Sequence, residues 1–180
     1  IGQMVHQDRT IHEKMRLFWY NHLAVQVSVV FNGLLWWDFD RLLRTHSLGN
    51  FRQMMYDVTV DPCMLEYLNG DQNVASAPDE NYARELMELY TLGEGSGYTE
   101  DDVQAAARVL TGWRFRESNG SPILPEAYFT PADHSTTNKQ FSAFFNNTVV
   151  QGQSGANAGA TELNALLDMI FANETCSLFI

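Results

Sequence analysis

The sequence predicts a mainly α-helical protein, an irregular helical bundle with a small β or loop excursion between about residues 113 and 159. Three observations lead to this fold class. Helix start and stop signals alternate with apolar segments over the first two-thirds of the chain. Glycine, proline, asparagine and serine then separate short aromatic or β-branched segments. A final apolar segment, beginning near Thr161, again has helical composition.

Length and composition limit the class of protein. With 180 residues, 45% of them hydrophobic, we expect a single mainly helical domain over residues 1–180. A formal net charge of −11 argues against a nucleic-acid surface, because neutralising phosphates needs clustered Lys and Arg. No segment is apolar over enough residues to predict a membrane span. The chain starts at Ile1 and stops within the apolar CSLFI, so truncation at both ends is expected.

Composition, helix-ending glycine and capping residues predict the first four helices. A segment from about Asp8 to Phe31 lacks glycine and proline and is apolar nearly all round, which predicts a buried helix. The second helix is predicted from about Phe39 to Leu48, ending at Gly49. Asn50 can cap the third, and Asp61 followed by proline opens a short fourth helix.

Three further helices follow. One begins after Asp79 and stops at Gly93, and Thr99 with an aspartate three residues on resembles a capping box. The helix that this box opens is predicted to end at Gly112, and Thr161 is predicted to cap the last one. The segments predicted to be short strands or extended loop are WRFRES, AYFTP and TVVQG.

The helix after Asp79 carries its charged side chains on one side. Glu80, Arg84 and Glu88 lie at i, i+4 and i+8, a spacing that an exposed ion-pair ladder explains. Glu85 differs, because at 100° per residue it lies at the apolar edge, next to Leu89. A nearby arginine would hold this carboxylate ionised, whereas an apolar wall would favour general-acid use. The sequence leaves both alternatives open.

Two histidines are candidates for a polar site. His22 lies on the apolar side of the first predicted helix, beside Phe18. Such a position is typical of a core imidazole bonded to a buried partner, and the alternatives are a catalytic base or a metal ligand. Asp133 and His134 are adjacent on the predicted loop PADHSTTNK, which is a weak metal signal because no spacing motif completes a ligand set.

Four segments together resemble a known bacterial family. In chain order they are EKMRLFWYNHLAV, LGNFRQMMYDVTVDPCMLEYLNG, ENYARELMELYTLGEGSGYTEDDVQAAARVLTGW and HSTTNKQF. They are similar to the family catalogued as domain of unknown function 1800. The resemblance implies an often exported, extracytoplasmic protein, frequently encoded beside a second secreted family, without a stated activity.

The family's recurrent pattern can be carried over position by position. It falls on Trp19, Asn21, His22, Asn81, Arg84, Glu85, Glu88, Leu92, Gly93, Tyr98, Thr99, Asp102, Thr111, Gly112, Trp113, His134 and Lys139. One departure matters: the family commonly has His-Asp at the loop, whereas Ser135 follows His134 here. That departure weakens a metal or acid–base role for the loop, and substitution by Asp133 on the other side stays open.

Two functional hypotheses follow. The first is an exported scaffold or binding protein that acts with a secreted protein partner, its motif residues forming a buried network that fixes helix packing. The second is a hydrolase-like or metal-assisted enzyme with a His/Glu site in the helical core. We favour the first, because no recognised catalytic spacing is present, and no cofactor is indicated. Candidate catalytic residues are His22, Glu85, Glu88, Arg84, Asn21 and Asn81, and candidate metal ligands are His134, Asp133 and His22.

Overall fold

The computed structural model describes residues 10–117 and 124–179 and confirms the mainly helical fold class. Its α-helices are α1 (Thr10–His22), α2 (Gly33–Thr45), α3 (Phe51–Thr59), α4 (Pro62–Tyr67), α5 (Asn81–Glu85), α6 (Glu100–Val109), α7 (Ala158–Phe171) and α8 (Glu174–Phe179). Its strands are β1 (Trp113–Glu117), β2 (Pro125–Phe129), β3 (Lys139–Gln140) and β4 (Val149–Val150). The strands form two antiparallel pairs, β1 with β2 and β3 with β4.

Three predicted caps are confirmed by their hydrogen bonds. The Asn50 side chain accepts from the backbone N–H of the third residue of α3 at 2.9 Å. Asp61 accepts from the N–H of Cys63 at 2.9 Å at the start of α4. Thr99 and Asp102 form the reciprocal capping box that opens α6. Local side-chain chemistry therefore decides where these helices begin.

The first predicted helix is too long. Asp8 lies outside the described residues, and α1 ends at His22 rather than near Phe31. The segment that follows contains four valines, whose branched side chains lower helix propensity. Its buried end is held by Trp36, whose Nε1–H donates to the Val30 carbonyl oxygen at 2.8 Å. The α2 helix consequently begins six residues earlier than predicted, with Asn32 as its cap.

The helix after Asp79 changes its hydrogen-bond pattern halfway. α5 runs directly into a π-helical segment, Leu86–Thr91, in which the N–H of Leu92 reaches back five residues to the Met87 carbonyl at 2.9 Å. The wider turn changes the angle between successive residues, which the sequence analysis took as 100°. Leu89, predicted beside the apolar edge, is therefore 53% exposed. The chain leaves this segment at Gly93, as predicted, with φ +90°.

The excursion between Trp113 and Gly159 is confirmed, although its strands are short. WRFRES becomes β1, with Ser118 outside the described residues, and only two residues of TVVQG are paired. The last long helix starts at Ala158, so Thr161 lies inside its first turn and is not the cap. α6 packs against α7 and β3, and α7 against β4, which brings the excursion onto the helical core.

No helix in the described part of the chain combines the length and the apolar character needed to cross a membrane.

Candidate functional site

Three ionisable side chains meet inside the protein, where α7 packs against the excursion. Glu162 Oε2 lies 2.5 Å from Lys139 Nζ, and Glu162 Oε1 lies 3.1 Å from His134 Nε2. The side chains of Lys139 and Glu162 are 0% exposed and that of His134 is 1% exposed. We call His134, Lys139 and Glu162 the buried triad.

The hydrogen bonds of His134 define where its protons lie. Nδ1 is 2.9 Å from the carbonyl oxygen of Thr111, which can only accept. Nε2 faces a carboxylate oxygen of Glu162, which also accepts when ionised. The hydroxyl of Thr111 also lies 3.1 Å from Nδ1, and a hydrogen bond between Nε2 and Oε1 requires one proton on either of these two atoms. One proton is therefore held between the two side chains.

Two more groups complete the shell around Glu162 and Lys139. The backbone N–H of Gln153 donates to Glu162 Oε1 at 2.6 Å, and Lys139 Nζ donates to the Ser135 carbonyl oxygen. Burial raises the pKa of Glu162, but hydrogen bonds from His134 and Lys139 outweigh it, so the pKa lies below its usual value. Burial lowers the pKa of Lys139, although the nearby carboxylate of Glu162 acts in the opposite direction. The lowered pKa favours the neutral amine.

A close backbone approach at Gly112 positions His134. Gly112 has φ +92°, and a Cβ at this position would lie 2.9 Å from the Thr130 carbonyl oxygen and 3.3 Å from His134 Cβ. Its carbonyl accepts from the N–H of Thr130 at 2.8 Å. Glycine is therefore required for the loop to bring His134 next to α7.

The proposed pairing of His22 with Glu85 is not formed. Within the described residues, no hydrogen bond or ion pair joins them, and His22 Nε2 instead lies 2.9 Å from the Tyr90 carbonyl oxygen. The imidazole is half-buried and lies near the rings of Phe51 and Phe179. Burial, together with the nearby Glu88, raises the pKa of Glu85, while Arg84 lowers it.

The remaining candidate catalytic residues are not joined to one another by side-chain hydrogen bonds in the described part of the chain. Arg84 pairs with Glu80 at 3.2 Å and, through both of its terminal nitrogens, with Glu100. The predicted ladder is thus formed in part, because the second carboxylate comes from α6 and not from Glu88. Asn21 and Asn81 are exposed. No side-chain hydrogen bond joins any two of the six candidates in residues 10–117, where all of them lie.

The candidate metal ligands lie in separate places. Asp133 pairs with Arg114 at 2.8 Å, His134 is enclosed in the buried triad, and His22 faces Tyr90. Across residues 10–117 and 124–179, no group of three or more His, Cys, Asp or Glu side chains is arranged to hold a metal ion.

Another buried carboxylate, that of Asp61, faces an open cleft of about 300 Å³ between α2 and α3. Burial raises the pKa of Asp61 to about 7, against the hydrogen bonds from the Cys63 and Met64 backbone and with the help of Asp38. Unlike Glu162, Asp61 has no ion-pair partner among the described side chains. The other side chains that line this cleft are Asp38, Arg41, Leu42, Thr45, His46 and Asp57.

The α1–α2 hairpin exposes an apolar surface. Between the two helices lies a groove of about 510 Å³, with walls that include Leu17, Tyr20, Trp36 and Trp37. Residues 10–48 hold three acidic and four basic side chains, against 22 and 11 in the whole chain. We call the exposed part of this hairpin the apolar hairpin surface. Between residues 17 and 37, its large exposed apolar residues are Leu17, Phe18, Val27, Val29, Phe31, Leu34 and Trp37.

Comparison with protein families finds a match over the whole chain. Residues 1–180 match the model of a family described as a protein of unknown function, DUF1800. The chain belongs to the DUF1800 family. Neither the curated proteins nor the solved structures contain a match to it.

The structure of this DUF1800 chain gathers several family-pattern positions around one point. His134 and Lys139 are two members of the buried triad, and Thr111 and Gly112 contact the first of them. Glu162, the third member, was missed by the sequence interpretation. A helical wheel of α7 carries the signal, since Glu162 lies only about 40° from the buried Leu166. A carboxylate at the edge of an apolar face requires a partner.

Proposed function

We propose that this DUF1800 chain is a binding or scaffold protein that holds a partner protein on the apolar hairpin surface. The exposure of seven large apolar side chains between Leu17 and Trp37 carries the proposal, with Phe31 82% exposed. Large exposed apolar patches on folded proteins mark interaction sites, because leaving them in water is unfavourable.

The shape of the surface favours a protein segment as the occupant. The groove between α1 and α2 is concave and large enough for an apolar side chain of a partner. Its aromatic walls, Tyr20, Trp36 and Trp37, belong to the residue types that dominate binding energy at interfaces. A partner that inserts an apolar anchor between the two helices fits this geometry.

Charge favours a different protein over a second copy of this chain. Two copies would each bring a net charge of −11, which repels them on approach. The hairpin itself is nearly neutral, so it accepts an apolar anchor without a charge penalty. We therefore infer a partner with an apolar segment flanked by Lys or Arg, which the acidic remainder of the chain attracts.

The buried triad supports a packing role for the motif residues. Its side chains are 0–1% exposed and bonded to one another, so an external substrate has no access to them. The hydrolase-like alternative lacks comparable support, since His22 and Glu85 share no hydrogen bond among the described residues. A network of this kind fixes one packing of the elements that contribute to it.

We also propose, from the family resemblance alone, that the partner is secreted and that the two proteins meet outside the cytoplasm. Cell fractionation of the native producer, with antibodies against the full-length protein, tests this part separately. We expect the protein in the periplasmic or secreted fraction, and its confinement to the cytoplasm would contradict the expectation.

Site-specific photo-crosslinking tests the docking surface. A benzophenone side chain is placed at Trp37 or at Leu17 in the full-length protein, and at Leu89 as the control, which is equally exposed but lies outside the hairpin. We expect the same discrete protein to be cross-linked from both hairpin positions and not from Leu89. Crosslinks only to lipid, only to a second copy, or equally from all three positions would overturn the proposal.

The affinity of this chain for the partner identified by crosslinking, purified separately, then gives a quantitative test. Replacing Leu17 by Asp puts a charge into the groove, and we expect the Kd to rise at least about tenfold, equivalent to about 1.4 kcal/mol. The matched Leu89→Asp variant should bind like wild type. Equal weakening by both variants would show that the hairpin is not the binding surface.

A further inference from the structure

We propose that Lys139 and Glu162 become joined by an intramolecular isopeptide bond between Lys139 Nζ and Glu162 Cδ, with loss of one water molecule. This modification goes beyond the proposed binding function and does not depend on it. It would convert two members of the buried triad from an ion pair into an amide cross-link between the excursion and α7.

Position is the first requirement, and the triad meets it. Lys139 Nζ lies 2.5 Å from Glu162 Oε2, and both side chains are 0% exposed. The amine is also directed by its hydrogen bond to the Ser135 carbonyl oxygen. Because the amine and the carboxyl are already held together, the reaction does not require a bimolecular encounter. Removing that requirement lowers the activation free energy of many reactions by a large amount.

Proton placement is the second requirement. An amine attacks only in its neutral form, and burial favours that form of Lys139. The carboxyl must lose an oxygen, and Oε1 already faces two donors, His134 Nε2 at 3.1 Å and the Gln153 N–H at 2.6 Å. The proton held between His134 and Glu162 is thus available as a general acid at the oxygen that has to leave.

The reaction balances without an external reagent. The Nζ–Cδ bond forms and the Cδ–Oε1 bond breaks. Oε1 departs as water with one proton from Lys139 Nζ and one from His134 Nε2, and Oε2 remains as the amide carbonyl oxygen. His134 ends neutral and keeps its Nδ1–H on the Thr111 carbonyl. Nothing is oxidised or reduced.

The surroundings favour the product. Amide formation removes two charges from a site without water contact, and charges in such a site are costly. The bond would also link residues 23 positions apart, which restricts the unfolded chain as a disulfide does. Cys63 and Cys176 are both free, so no disulfide between them supplies such a link.

Intact-mass spectrometry of the full-length protein, unfolded and reduced, tests the proposal. We expect a mass lower than the sequence mass by that of one water molecule. Trypsin digestion should give a branched peptide joining the Lys139 and Glu162 segments, with no cleavage after residue 139. Lys139→Arg and Glu162→Ala should each restore the full sequence mass. A folded wild-type protein that keeps its full mass after long incubation would overturn the proposal and leave a buried ion pair only.

His134 is a positioning and proton-donating residue in this scheme, and a separate variant tests it. His134→Asn should lower the cross-linked fraction at least about tenfold, the usual scale for loss of a general acid. Asp133→Asn, one residue away and outside the triad, is the matched control and should cross-link fully. Circular dichroism identifies any variant that fails to fold. Full cross-linking of a folded His134→Asn variant would contradict the proton donation assigned here.

Discussion

Residues 17–37 expose seven large apolar side chains, whereas the segment from His134 to Glu162 encloses three ionisable ones. Each region departs from the common distribution of residues, in which apolar side chains fill the core and charged ones stay in water. The departures are compensated differently. The buried triad satisfies its charges internally through hydrogen bonds, but the hairpin has no cover among the described residues. The polar groups of the buried triad are thus satisfied by one another, whereas the apolar side chains of the hairpin stay in contact with water in the described part of the chain.

The largest expected effect comes from breaking the buried triad. Glu162→Ala leaves Lys139 and His134 enclosed without a counter-charge, so we expect a loss of about 3–5 kcal/mol in the free energy of unfolding. Asp168→Ala, on the same helix, is the control, because the Asp168 side chain is 70% exposed and its pair with Arg52 contributes about 1 kcal/mol or less. Urea denaturation measures both. Similar losses in the two variants would show that enclosure does not matter.

The second largest loss of stability is expected from a change at Gly112, next to the loop that carries His134. Gly112→Ala adds a Cβ at φ +92° and 2.9 Å from a backbone oxygen, and we expect a loss of about 1–3 kcal/mol. Gly33→Ala is the matched control on the hairpin, where a Cβ meets nothing within 4 Å. Thermal unfolding compares them. A tolerated Gly112→Ala would mean that the approach of this loop to α7 is not tight.

Asp61, a buried carboxyl without an ion-pair partner among the described side chains, is expected to make stability depend on pH. Its pKa of about 7 in the folded chain is above the value of about 3.9 expected when unfolded. The folded state then binds more protons between these values, so this stabilisation is complete below about pH 4 and lost as the pH rises through about 7. Asp61→Asn keeps the cap and removes the titration. From about pH 5 to pH 8, the Tm of wild type should fall relative to the variant; parallel curves would contradict this.

The smallest effect is expected on the apolar hairpin surface. Phe31 is 82% exposed, so Phe31→Ser should change the free energy of unfolding by about 0.5 kcal/mol or less. The same variant should bind less of a dye that fluoresces on apolar surfaces. The buried Phe39 of α2 supplies the contrast, since Phe39→Ala should cost about 3–5 kcal/mol. A large loss from Phe31→Ser would show that the hairpin loop is part of the core.

Local sequence signals predicted the start of a helix wherever a side chain caps the adjacent backbone. Asn50, Asp61 and the Thr99–Asp102 box act within three residues, and all three caps are formed as expected. The first helix was predicted too long, because four β-branched valines follow His22 and lower the helix propensity of that segment. The wheel after Asp79 failed at Leu89, because a π-helical segment cannot be read from a spacing that assumes 3.6 residues per turn.

The candidate site was predicted only in part. His134 and Lys139 were selected through the family pattern, but not their common partner, which lies 28 and 23 residues further along the chain. His22 and Glu85 were selected by their place on helical wheels, and the fold does not join them by a hydrogen bond. A helical wheel shows that a polar side chain at an apolar face needs a hydrogen-bond partner. It does not show which residue the tertiary fold brings into contact with it.

The sequence by itself determined the mainly helical class, three of the helix caps, the acidic charge and the membership of the DUF1800 family. Only the tertiary structure decided which polar groups meet and which apolar groups stay in water. The physical reason is range: capping and propensity act over a few residues, whereas the contact of Glu162 with His134 and Lys139 depends on the packing of α7 against the excursion. Within the described residues, the tertiary structure also leaves Leu17, Phe31 and Trp37 exposed.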